Sequence, residues 1–573
     1  MNKSNMRVTK VVAIIAANVF ATLCVSALAD DVQRVKLFVR ETPITVNGRT
    51  ITMCSVVQAD GTPGYLPEQS GGFHVEVVNQ LKVPTTLHWH GLTVPNSMDG
   101  VPFVTQAPIQ PGASAMYDFP LKESGTYWMH SHYGLQEQYL VSAPLVIWND
   151  QERAKADKQF IVTLTDFTFT PPAEILKQLR NAPAMDMGGM NMGGAAKPAD
   201  GMGGMNMNGA AKPADGMGGM NMNGAAKPAD GMGGMNMNGA AKPADGMDGM
   251  NMNGASAEPA ATLPPVFTQH WDETNSRLVR AMVNAAPANI DVKYDALLAN
   301  KRTIDNPEVM TVKPGETVLL RIIAASVASD FFINTGVLDA ELLAVDGQPV
   351  QPVRGNYFQL AIAQRLDLRV TIPQSGGVFP IIAQGEGTTL QCGVVLATSG
   401  ANFVSLSTNA NMLTTPLDNT QESLLHASAP LAAKKIDRSL PAVLSGTMQG
   451  YQWFINGNQY PNRKTLDVKL GERVEIVLIN NTPMGHPMHL HDGAFQVVEI
   501  NGKPMSGAQR DTIEVPPHAT IKIAFDADNI GLWPLHCHIG YHADSGMMTL
   551  LKYDGADTQF WQPEQVKLEK LDL

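Results

Sequence analysis

FHVEVVNQLKVPTTLHWHG, residues 73–91, alternates apolar and polar side chains and then ends on two histidines one residue apart. Successive side chains of a β-strand point to opposite faces, so period-two alternation marks a strand with one buried face. VQRVKLFVRETPITV, residues 32–46, alternates in the same way. Pro-Gly at 111–112 and 314–315 and Asn-Gly at 456–457 and 501–502 punctuate the chain with turns. The pattern predicts an all-β protein of sandwiches or Greek-key barrels.

A related phrase recurs. VKPGETVLLRII begins at Val312, VKLGERVEIVLINN at Val468, and VEVVNQL at Val75 holds a similar place near the N-terminus. Three related β-domains are the simplest explanation, at 30–152, 153–402 and 430–573. Residues 403–429, rich in Ser, Thr, Asn and Ala, are expected to connect the last two. A length of 573 residues, 44% hydrophobic and 16% charged, suits several globular domains.

Residues 1–29 have the pattern of an export signal: basic Lys3, Arg7 and Lys10, an apolar run from Val11 to Leu28, and Ala27-Leu28-Ala29 as a cleavage site. A membrane anchor is the competing reading, and the small residues and polar interruptions favour cleavage. The expectation is a soluble periplasmic protein with no stable membrane insertion. Removing three positive charges takes the formal charge from −12 to about −15. Such a balance argues against nucleic acid and anionic membranes as partners. Cys24 leaves with the signal. Cys54, Cys392 and Cys537 remain, and an odd number leaves at least one unpaired. A Cys54–Cys392 disulfide is open at this level.

GMGGMNMNGAAKPAD recurs with a period of 15 between 182 and 258, inside the second predicted domain. The methionines are Met187, Met190, Met192, Met202, Met205, Met207, Met217, Met220, Met222, Met232, Met235, Met237, Met247, Met250 and Met252. The core of the repeat has neither aromatic nor branched aliphatic residues to offset ordering entropy, so it is expected to be a disordered insertion. One reading is a low-complexity expansion. The sharper reading is a Cu(I) tether, because thioether sulfur prefers soft ions and M-x-x-M-x-M lets a flexible chain wrap one ion.

Ten of 14 histidines fall in four clusters: His88 and His90; His130 and His132; His486, His489 and His491; and His536, His538 and His542. In a strand, H-x-H offers two imidazoles to one face. In His536-Cys537-His538 the thiol therefore faces away from both rings. Cys537 with two imidazoles and a nearby thioether is a blue-copper donor set, trigonal His₂Cys with a weak axial Met. His542 and Met547 follow at loop distances, and His486 is the candidate second imidazole. Zinc is the alternative metal, but a structural zinc site needs only four ligands. His74, His270, His426 and His518 lie outside the clusters and are expected to be structural or on the surface.

HWHG, WMHSH, HPMHLH and HCHIGYHADSGM resemble the four copper motifs of the multicopper oxidases, the laccase-like family that includes bacterial copper-resistance oxidases. The resemblance covers nearly all of the mature chain except the Met repeats. It implies three cupredoxin-like Greek-key barrels and four copper ions. His486, Cys537, His542 and axial Met547 would bind the type 1 copper. His88 and His489 would bind the type 2 copper. His90, His130, His132, His491, His536 and His538 would bind the type 3 pair. Asp99 resembles an acidic residue near the cluster in relatives, with a turn aspartate as the other reading. Many bacterial members place Glu directly after the last type 1 histidine. Here that position is Ala543, which leaves Asp544 as a weaker second proton donor.

The implied activity is one-electron oxidation of a substrate coupled to four-electron reduction of O2 to water. A sulfur axial ligand tends to lower the type 1 potential, which favours Cu(I) over demanding phenols. Three functions follow: a cuprous oxidase in copper tolerance, a laccase-like oxidase of phenols or aromatic amines, and a non-enzymatic copper store or carrier.

Overall fold

A computed structural model describes residues 34–181, 263–403, 405–461 and 464–562. The stretch expected to be an export signal, 1–29, and the expected Met-rich insertion, 182–258, lie outside the described residues.

Three pairs of β-sheets succeed one another along the chain, and the architecture is the expected series of three cupredoxin-like barrels. The first pair is a four-stranded sheet, ordered Arg49–Val57, Val35–Val46, Phe73–Asn79, Ser114–Phe119, and a three-stranded sheet of His88–His90, Gly125–His130 and Ser142–Ile147. The middle pair has eight and five strands, and the last has seven and five. Alternation in Phe73–Asn79 is matched by burial, with Phe73, Val75, Val77 and Asn79 inward.

The recurrent phrase has one structural meaning in all three places. Its strand pairs in parallel with the opening strand of its own barrel: Val35–Val39 with Val75–Asn79, Lys158–Leu164 with Val318–Ala324, and Arg438–Leu444 with Val474–Asn480. In the first and last barrels this strand ends on a buried asparagine. Asn79 Nδ2 donates to the carbonyls of Val83 and Ile109 at 2.9 and 2.8 Å. Asn480 Nδ2 donates to those of Met484 and Val515 at 2.7 and 2.9 Å. Each amide satisfies buried carbonyls that would otherwise cost desolvation energy. Each also pins the loop that leads into a histidine strand, His88–His90 or His486–Leu490.

Pro172–Asn181 is a helix, in a chain whose sequence is expected to be all-β. Pro172, Ile175, Leu176 and Leu179 form its buried face at helical spacing. Cys54 and Cys392 are free thiols buried in two different cores, so no disulfide links them. Burial pushes both upward, Cys54 to about 12.

The first and last barrels share one continuous apolar core, which Ile323, Ala325, Val327, Ile362 and Ala363 of the middle barrel join, while most of the middle barrel packs a second core. Side chains stitch the first to the last: Asn96 Nδ2 donates to Leu532 O at 3.0 Å, and Asn529 Nδ2 to Val94 O at 3.1 Å. The middle barrel joins the first through buried Arg321, which bonds Glu152 at 2.8 Å, Asp367 at 2.9 Å and Thr126 at 2.8 Å. Arg321→Met leaves two buried carboxylates with Lys155 as their remaining cation. The expected cost is about 3 kcal/mol, the lower end for a broken buried pair. Chemical denaturation of the metal-free protein measures it, and an unchanged midpoint would count against a role for this pair in joining the barrels.

Candidate metal centre

The four histidine clusters, far apart in sequence, meet at the seam between the first and last barrels. His88–His90 pairs antiparallel with Gly125–His130, with His88 opposite His130. His486–Leu490 pairs with Leu532–Cys537, with His489 opposite His536 and Met488 opposite Cys537. Strand alternation then sorts the donors. His489 and His491 are two residues apart and share a face. His486 is three residues from His489 and takes the other face, on the side of Cys537. Nine of the ten clustered histidines are 0–3% exposed, and His132 is partly buried.

On the Cys537 side, Sγ lies 3.7 Å from His486 Nδ1 and 3.6 Å from His542 Nδ1, and the two nitrogens are 3.2 Å apart. Metal–nitrogen bonds of about 2.0 Å and a metal–sulfur bond of about 2.3 Å, at tetrahedral angles, put such atoms about 3.6 Å and 3.3 Å apart. The three atoms thus stand at the spacing of ligands to one ion. The outer nitrogens are fixed: His486 Nε2 bonds Thr482 Oγ1 at 2.7 Å, and His542 Nε2 bonds Asp291 Oδ2 at 2.8 Å. Asp291 also accepts from Tyr451 Oη. Trp453 lies over His542, ring centres 3.9 Å apart. Met547 is fully buried, and its main chain bonds both Cys537 and His542 at 3.0 Å.

The other eight histidines form the second set. His90 Nδ1 and His538 Nε2 each approach His130 Nε2 to 3.4 Å. His491 Nε2 is 3.1 Å from His536 Nε2, and His132 joins these two in a second triad. His88 and His489 remain as a pair, close enough to share an ion. Outer nitrogens are again held. His88 Nδ1 donates to Asp99 O and His489 Nδ1 to Asp511 O, both at 2.8 Å. His90 Nε2 bonds Asp511 Oδ1 at 3.1 Å and Thr512 Oγ1 at 3.0 Å.

This donor set fits bound metal. The Nε2 atoms of His88, His132 and His489 are buried with no hydrogen-bond partner. Orphaned buried nitrogens are costly unless something else binds them. Burial, the largest cause, also holds His90, His130, His132, His486, His489, His491 and His538 well below the usual imidazole range, and His536 at about 4. The rings are therefore neutral at pH 7, the form that ligates metal. Burial likewise pushes the Cys537 thiol upward.

The two carboxylates singled out in sequence part company. Asp99 is buried, with carboxylate oxygens 3.1 Å from both His88 Nδ1 and His491 Nδ1, and burial raises it above the ordinary range. Asp544 instead faces Arg180 at 3.3 Å. Glu137, unremarked in sequence, lies 3.4 Å from His130 Nδ1. Asp291, Asp511, Thr482 and Thr512 were also missed. Single polar residues in unrelated segments carry no spacing signal. Of the isolated histidines, His74 pairs with Asp118 and His426 with the Ser506 carbonyl.

Three family models, each described as multicopper oxidase, match residues 68–152, 263–404 and 436–556. The chain is 28% identical over 485 residues to multicopper oxidase MmcO of Mycobacterium tuberculosis, covering 84% of this chain and 79% of that one. It is 24% identical to a copper resistance protein A homolog of Pseudomonas syringae pv. tomato, covering 89% and 90%. The crystal structure of Fet3p, described as a multicopper oxidase that functions in iron import, superposes with a TM-score of 0.63 at 19% identity, covering 93% of each chain.

Asp291→Ala releases the outer nitrogen of His542. Loss of such a partner costs ~10–100-fold in metal affinity. Titration against a competing copper chelator, read at the thiolate charge-transfer band, should show that weakening. An unchanged affinity would mean that Asp291 does not orient His542.

Proposed function

Because the chain belongs to the multicopper oxidase family, we propose that it is an exported cuprous oxidase of copper tolerance, coupling one-electron oxidation of Cu(I) to four-electron reduction of O2 to water. The observation that carries the reading is the position of Cys537. Its thiol faces one donor set, while its chain neighbours His536 and His538 belong to the other.

His486, Cys537 and His542, with Met547 for the axial place, would hold a type 1 copper. His88 and His489 would hold type 2. The triads His90, His130, His538 and His132, His491, His536 would hold the type 3 pair. Bound copper would supply the one-electron acceptor at the first set and the oxygen-reducing centre at the second. The chain's part is to fix both sets and to join them by a few covalent bonds through Cys537. Asp99, set against His88 and His491, would hold a proton beside the eight histidines. Asp544, engaged with Arg180, has no such placement.

Two features favour Cu(I) over a phenol as reductant. His486 and His542 are 0% exposed, their outer nitrogens closed by Thr482 and Asp291, so an aromatic substrate has no ring edge to meet. The methionine repeat supplies soft donors for Cu(I) in the same chain. Relatives named for copper resistance support the same choice.

Oxygen uptake by the copper-loaded protein, intact and lacking residues 185–252, tests the reading. Deletion should slow uptake driven by Cu(I) and leave uptake driven by a phenol unchanged. Unchanged Cu(I) oxidation with faster phenol oxidation would instead make the segment a screen and the protein laccase-like. No uptake with either reductant would point to a copper store.

A further inference from the structure

We propose that Arg365, from the barrel that supplies none of the clustered histidines, is a positioning residue for the eight-histidine set and acts through Asp511. The inference rests on the proposed copper assignment.

Arg365 is fully buried, and its guanidinium grips Asp511 with two nitrogens, Nη1 to Oδ1 at 2.8 Å and Nη2 to Oδ2. The guanidinium is itself held, by the carbonyls of Ala363 at 2.9 Å and Thr126 at 3.2 Å. A fork gripped this way has one orientation, which a lysine ammonium cannot reproduce. Asp511 in turn holds two histidines assigned to different coppers. Its carboxylate bonds His90 Nε2 at 3.1 Å, and its carbonyl accepts from His489 Nδ1 at 2.8 Å. Thr512 Oγ1 closes the arrangement, 2.9 Å from Asp511 Oδ1 and 3.0 Å from His90 Nε2. The rotation of both rings therefore depends on where Asp511 sits, and Arg365 decides that.

The backbone makes room for this pair. Gly91, directly after His90, has φ +89°, which L side chains rarely adopt. A Cβ there would stand 2.2 Å from Asp511 Oδ2 and 2.7 Å from Arg365 Nη2. The last residue of HWHG is thus the space into which the Arg365–Asp511 pair fits. The pair is also anchored beyond itself. Asp346 accepts from the Arg365 main-chain nitrogen at 2.9 Å and from Arg510 Nη1 at 3.1 Å, and Arg510 Nε bonds Glu422 at 2.8 Å. Consecutive residues Arg510 and Asp511 of the last barrel are both locked to charged partners outside it. Among the described residues, the Arg365 side chain bonds Thr126, Ala363 and Asp511 and does not reach His486, Cys537 or His542. Its effect should therefore be confined to one of the two metal sets.

The test compares wild type, Arg365→Met and Arg365→Lys for copper per chain, the blue thiolate band and the electron paramagnetic resonance spectrum. Wild type must first bind copper at both sets; if it does not, the copper assignment fails and the inference is not reached. Arg365→Met is expected to stay blue while losing copper from the eight-histidine set, with affinity there down ~10–100-fold, the effect of removing an outer partner. Arg365→Lys keeps the charge without the fork and should show the same selective loss in weaker form. Full loading and wild-type spectra in Arg365→Met would overturn the proposal. Equal loss from both sets in the two variants would overturn it too, since that is a folding defect. Should the Met variant not fold, the Lys variant decides: selective loss supports the positioning role, and full loading or uniform loss refutes it.

Discussion

The two-residue period of a β-strand, imposed on Leu532–Cys537 and its continuation to His538, is the constraint on which the metal centre depends. Alternation sends the Cys537 sulfur to one side and the His536 ring to the other. The neighbouring strand His486–Leu490 obeys the same rule, so its histidines divide between the two sides without any bend in the chain. Two donor sets of different chemistry then share one pair of strands. A soft thiolate with two imidazoles lies on one side, and imidazoles alone on the other.

A strand pair alone cannot complete the second set. His88, His90, His130 and His132 come from the first barrel, and their approach requires the first and last barrels to be packed as one body. Their continuous core and the crossed bonds of Asn96 and Asn529 provide that packing. The buried asparagines Asn79 and Asn480 deliver the two histidine strands from equivalent places in their barrels. Most of the middle barrel packs a second core, with Ile323, Val327 and Ile362 joining the shared one. It also reaches the centre through two charged residues, Asp291 to His542 and Arg365 to Asp511.

Much of this was legible in the sequence. The H-x-H pairs and the H-C-H triplet carry their own geometry, because alternation fixes which side chains share a face. The repeated VK-x-GE-type phrase marked equivalent strands, and the structure gives each the same parallel partner. What stayed hidden was the layer that holds the ligands. Asp511 meets His90 across 421 residues of chain, and Asp291 meets His542 across 251. A lone aspartate in a loop has no period, so nothing local distinguishes it from a surface residue. Asp544 was already the weaker of the two carboxylates near motifs, and packing separates it further from Asp99. The helix Pro172–Asn181 was missed although its apolar spacing is helical.

Diffraction from crystals of the copper-loaded protein, with anomalous differences collected on either side of the copper absorption edge, tests the division of donors most directly. The account predicts one copper bound by His486 Nδ1, Cys537 Sγ and His542 Nδ1, and three among the eight remaining clustered histidines. A copper bridging the two sets, or an eight-histidine set holding fewer than three ions at full occupancy, would contradict it.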